Sequence, residues 1–157
     1  MAKRLLFSTT ILSFVLISCF APTENKSANG QNLDNKKKEE KCIDRIISED
    51  SKAGTTRNHR CEEVSLSDAI KEYIQQLEKV DFSDCPAEFG NSFKAHIEAW
   101  RSTLIITDKH SEMRGEMHNL FDKINVSEDS IQFKKLVKGI WDTWADVEVA
   151  MKNGGSQ

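Results

Sequence analysis

His96 follows Phe93 by three residues and precedes Trp100 by four, a spacing that sets its imidazole on the same helical face as two large rings. An imidazole held among rings must find hydrogen-bond partners, or its pKa falls until it is neutral. Two chemistries fit that position. One is a core histidine satisfied by a backbone carbonyl, a helix cap or a carboxylate; the other is a group that binds a ligand or moves a proton. Trp100 and Trp144 could supply indole surface beside it. Trp141 and Trp144 are three residues apart, so both cannot be central on a narrow seam. One is expected at the rim, with its indole N–H on a partner or water. The tryptophans are then either core anchors or an exposed patch for a protein partner.

A second set of donors lies at His110, Met113 and Met117. If one helix runs through all three, their i, i+3, i+7 spacing puts an imidazole and two thioethers on one face. That is a soft set suited to copper in its Cu(I) state. The same two methionines also fit an apolar stripe as core filler, and no metal is favoured. Haem is a further alternative, since helical bundles host it, but there is no C-x-x-C-H string for covalent attachment. H-E-x-x-H, Gly-rich phosphate loops and nucleophile elbows are absent as well, and so are the Glu-x-x-His pairs of di-iron bundles. No catalytic residue is assigned, and an envelope enzyme is the third reading after a binding module and a metal or haem protein.

Four amphipathic patterns must position these residues. The first starts after Ser65 or Ser67 and aligns Leu66, Ile70, Tyr73, Leu77 and Val80. The second opens at Ser83-Asp84-Cys85-Pro86, where Pro is tolerated in a first turn, and aligns Phe89, Phe93, His96, Ile97 and Trp100. A third, from about Ser111, aligns Met113, Met117, Leu120, Phe121 and Ile124. The fourth starts at Ser127, carries Phe133, Val137, Ile140, Trp144 and Val147, and stops at Gly154-Gly155. Ahead of them, residues 42–64 show no helical period, and Ala53-Gly54-Thr55-Thr56 reads as a turn. Residues 19–41 are rich in Asn, Lys, Ser and Glu, too polar to offset their ordering entropy, and read as a flexible tether. The expectation is an all-α protein: a four-helix antiparallel bundle over 65–153, an N-terminal segment pinned by a disulfide, and a frayed tail at 154–157.

The start of the chain supplies an address. Lys3-Arg4, an apolar stretch from Leu5 to Ile17 and a small residue at 18 form an export signal over residues 1–18. Thirteen residues are too few for a spanning helix, which needs about 20. Leu16-Ile17-Ser18-Cys19 resembles the lipobox of bacterial membrane lipoproteins. The resemblance implies cleavage before Cys19, acylation of that residue (palmitate among the chains) and attachment to a lipid bilayer. Phe20 rather than Asp after the lipidated cysteine favours the outer membrane over the inner. The string from Cys85 to Arg101 is similar to a segment of small exported helical bacterial proteins with no assigned function, which implies no mechanism.

With Cys19 given to lipid, Cys42, Cys61 and Cys85 are left in an oxidising compartment, enough for one disulfide and one spare thiol. Cys42 and Cys61, with 18 residues between them in a segment without helical period, are the easiest pair to close, with Cys85 as the alternative partner for Cys42. The leader carries two positive charges and no acids. The remaining 139 residues therefore hold 20 Lys and Arg against 25 Asp and Glu, a net charge of −5. That balance argues against nucleic acid as a partner and against a polybasic grip on lipid headgroups. A lipid-anchored binding or interaction module is the expected function, with His96, Trp100 and Trp144 as its first candidate surface.

Overall fold

The structure, a computed structural model, describes residues 27–154. The expected leader, Cys19 and the start of the expected tether lie outside the described residues, as does the tail after Gly154. Among the described residues every regular element is helical. These are α1 (Ser27–Glu63), α2 (Leu66–Leu77), α3 (Ala87–Ser102), α4 (Leu104–Thr107), α5 (Met117–Asn125) and α6 (Ser130–Gly154), with a 3₁₀ turn at Asp108–His110. Five of the six helices have nine residues or more. The four expected from periodicity are α2, α3, α5 and α6, and α1 is the addition.

Each helix starts where local chemistry lets it. The Ser65 hydroxyl accepts from the Asp68 N–H at 3.1 Å and caps α2. At α3 the cap position is Pro86 itself, with no side-chain cap. Helix α5 begins six residues later than the expected Ser111, for a tertiary reason. The Gly115 N–H donates to the Cys61 carbonyl at 2.8 Å, and the Leu66 N–H donates to the Met113 carbonyl at 3.1 Å. The segment before α5 is thereby clipped to the corner between α1 and α2. Gly115 makes this bend at φ +138°, a conformation side chains resist. The Glu116 carboxylate then caps α5, accepting from the N–H groups of His118 and Asn119 at 3.1 and 2.9 Å.

Two helix pairs build the core. Helix α3 packs along α6, α1 packs along α2, and α2 also meets α3 and joins the pairs. Phe89, Phe93 and Phe133 are fully buried with Ile46, Ile70, Leu120 and Ile124. Rings meet across the interior, Phe121 with Phe133 at 5.0 Å and Tyr73 with Trp100 at 5.4 Å.

Two N-terminal expectations are corrected. Residues 27–41 are helical rather than flexible, and 42–64 are helical up to Glu63 rather than irregular. The cause is burial: Cys42, Ile46, Ala53, Arg57 and Cys61 recur at helical spacings and are covered by the rest of the domain. The disulfide joins Cys42 to Cys85, not to Cys61. Cys42 and Cys61 lie on one helix, 19 residues and thus about 28 Å apart along its axis, far beyond disulfide reach. The bond pins α1 to the turn before α3, with a Cα–Cα distance of 5.1 Å. Cys61 is left as a buried free thiol, and burial pushes its pKa up to about 11.

Candidate binding cleft

A cleft of about 320 Å³ opens where α1, α2, α3, α5 and α6 converge. One wall is charged and comes from α1 and α2; the other is aromatic and comes from α3 and α6.

Arg57 sits in the charged wall. It is only 9% exposed, and its Cζ lies 4.0 Å from the Trp100 ring centroid and 4.6 Å from that of Tyr73. These are cation–π distances. Its Nε and Nη2 donate to Asn58 Oδ1 at 3.2 and 3.1 Å. Burial lowers the guanidinium's pKa, and the nearby Tyr73 and Asp50 oppose that shift. Asp50 stands two turns before Arg57 on the same face of α1, and it accepts the Tyr73 O–H at 2.6 Å. Burial, with the Asp50 charge in support, raises the Tyr73 pKa, so the phenol stays protonated and donates.

His96 sits in the aromatic wall, 4% exposed. The Trp100 indole N–H, which can only donate, points at His96 Nε2 from 3.1 Å. Nε2 must therefore be unprotonated, and the neutral ring carries its proton on Nδ1. That N–H donates to Thr143 Oγ1 at 3.1 Å, whose own hydroxyl turns back to the carbonyls of Gly139 and Ile140 at 2.9 and 3.0 Å. Burial is the main cause of a lowered His96 pKa, and the Arg57 charge adds to it. Trp144 lies against His96 at 5.1 Å between ring centroids, with its indole N–H on Glu148 Oε1 at 3.0 Å.

The three residues singled out as a first surface therefore do come together: His96 contacts both Trp100 and Trp144. Trp141, 67% exposed, is the rim residue of its pair and lines the mouth of the cleft. His110, Met113 and Met117 do not share a helix. His110 ends the 3₁₀ turn and meets Asp129 Oδ2 at 3.2 Å, Met113 lies in the following turn, and Met117 opens α5 and lines the cleft. The i, i+3, i+7 face on which a Cu(I) set would depend is not formed. Among the described residues no group of three or more His, Cys, Asp or Glu side chains could hold a metal ion. A single axial histidine at position 96 would first have to give up its bond to Trp100.

Sequence reasoning missed Asp50 and Arg57 because it read their segment as irregular. The signal was present: positions 46, 50, 53, 57 and 61 step by four, three, four and four, a helical face with two charges in it. Compared with known proteins, the chain matches no family model, and no curated protein or solved structure is similar to it.

Proposed function

We propose that this chain is a bacterial membrane lipoprotein, held at the cell envelope by acylated Cys19 and favouring the outer membrane. Its helical domain is a non-enzymatic binding module. In this reading α2, α3, α5 and α6 form a four-helix antiparallel bundle braced by α1, and the cleft is where a small ligand or an exposed side chain of an envelope partner docks. One observation carries the choice of binding over catalysis. Both ring nitrogens of His96, the one histidine buried beside the cleft, are already engaged by Trp100 and Thr143. His96 is thus not poised for proton transfer, while aromatic and apolar side chains make up much of the opening.

Two measurements test this. Cys19→Ser should move the full-length protein out of the membrane fraction, and an unchanged membrane fraction defeats the anchor. For the cleft, 2-naphthoate and 2-naphthamide are titrated into the full-length protein in non-ionic detergent, with protein-free micelles as the blank and tryptophan fluorescence as the signal. Saturable quenching by at least one probe is expected, lost in Gly54→Phe, whose ring would stand in the cleft mouth. Absence of saturable quenching by either probe, or quenching that Gly54→Phe leaves intact, would sink the binding-module reading.

A further inference from the structure

We infer that the ligand of this cleft carries a carboxylate on a flat apolar body, and that the Arg57 guanidinium is the seat of the anion. The inference rests on the binding-module reading above and adds the chemistry of the ligand to it.

Arg57 is nine-tenths buried, yet no carboxylate among the described residues pairs with it at ion-pair distance. A buried cation is costly unless its charge and its donors are answered. Here the answers are partial. The rings of Trp100 and Tyr73 take the π contacts at 4.0 and 4.6 Å, and the Asn58 amide oxygen, a neutral acceptor, takes two N–H groups. A guanidinium has five donors in a planar fork; Asn58 takes two, the Tyr73 oxygen is within hydrogen-bonding reach as well, and the Arg57 side chain lines the cleft. A planar carboxylate is the acceptor whose shape and charge match that fork.

The surroundings narrow the class further. A cationic ligand would be repelled by Arg57, and the two ring faces that could have caged it already hold the guanidinium. Asp50 is committed to the Tyr73 hydroxyl, and its charge turns an incoming anion away from that end and toward Arg57. His118 at the rim is held by Glu116, its Nδ1 2.6 Å from Glu116 Oε1, so that nitrogen is not offered to the ligand's acid group. Ser51 and Thr55 add hydroxyls on the α1 side, and the opposite side is apolar and aromatic, with Phe121, Ile140 and Trp144 available to the ligand's body. A volume of about 320 Å³ suits a bicyclic ring system with one acid group.

Paired probes separate the two claims. In the full-length protein in non-ionic detergent, 2-naphthoate should bind at least about tenfold tighter than 2-naphthamide, its uncharged isostere. Arg57→Met, a neutral side chain of similar length, should erase that preference. If both probes bind with equal affinity and Arg57→Met changes neither, the carboxylate claim is overturned and the binding module stands. When neither probe binds, the binding-module reading falls and this inference with it. Should Arg57→Met lose its helical circular dichroism, two ratios decide the matter. A naphthoate-to-naphthamide ratio near one in the unchanged protein overturns the proposal; a ratio above ten that drops in Arg57→Lys, which keeps the charge and loses the fork, supports it.

Discussion

The two walls of the cleft solve the same problem in opposite ways. In the α3–α6 wall a titratable ring, His96, is buried neutral, and each of its nitrogens has a protein partner. The α1–α2 wall buries a group that cannot shed its proton at ordinary pH, and Arg57 is answered by two ring faces and one amide oxygen. Neutralisation is open to an imidazole and closed to a guanidinium, because their intrinsic pKa values lie on opposite sides of neutrality. A satisfied neutral group rigidifies a core, whereas a buried charge that feels Asp50 only at a distance, with no ion pair among the described residues, keeps room for an anion. Trp100 belongs to both walls, giving its N–H to His96 and its ring face to Arg57.

Because it serves both walls, Trp100→Ala should do the most damage. The variant loses a large buried ring, the His96 partner and half of the Arg57 stack, and should unfold with about 4 kcal/mol less stability in urea titrations. A loss under about 1 kcal/mol would mean that the walls are independent. Next comes the link that holds α1 in place. Cys42→Ser should cost up to about 4 kcal/mol by freeing a loop of 43 residues. The same loss should follow when reductant is added to the unchanged protein, and Cys61 should not substitute, being at the far end of the buried part of α1.

The third test reads the neutral wall through pH. The folded pKa of His96 lies below its unfolded value, so the unfolded chain binds the proton more readily. Stability should therefore fall as pH drops from about 6.5 toward the folded pKa, by at most about 1.4 kcal/mol per pH unit, and His96→Phe should flatten that slope. Asp108, Asp129 and Glu116 have lowered pKa values, mainly through hydrogen bonds from Lys71, Lys109 and His118 respectively. Their contributions are present at neutral pH and are lost only below about pH 4.5, a separate window. A slope above pH 5 that survives His96→Phe would contradict the neutral assignment. The smallest expected effect is Arg57→Met, within about 1 kcal/mol of the unchanged protein in the same titrations, since replacing a buried charge with an apolar side chain of similar size removes its desolvation cost. A loss of several kcal/mol would show that the stacked guanidinium is a structural strut.

Legibility in the sequence followed the strength of local signals. Leu66, Ile70, Leu77, Phe89, Phe93, Ile140 and Val147 stand where their period places them, because an apolar stripe needs only some partner, not a particular one. Helix α1 was hidden. Its first part from Asn32 to Lys38 is polar and exposed, Gly54-Thr55-Thr56 has the composition of a turn, and its buried face includes Arg57. Tertiary burial against α2 overrides that weak propensity. The start of α5 was hidden too, since Gly115 and its bond to the Cys61 carbonyl join segments more than fifty residues apart.

The sequence by itself determined that the described domain is helical, which faces of four helices are apolar, and that His96 shares a face with Trp100. It also carried the lipobox resemblance at Cys19. Only the tertiary structure decided that Cys42 bonds to Cys85, that His96 keeps its proton on Nδ1, and that Arg57 and Asp50 face the same cleft. The physical reason is range. Period and capping are set by residues within a turn or two of one another, whereas a disulfide, a tautomer and a cleft depend on which distant side chains the packed helices bring together.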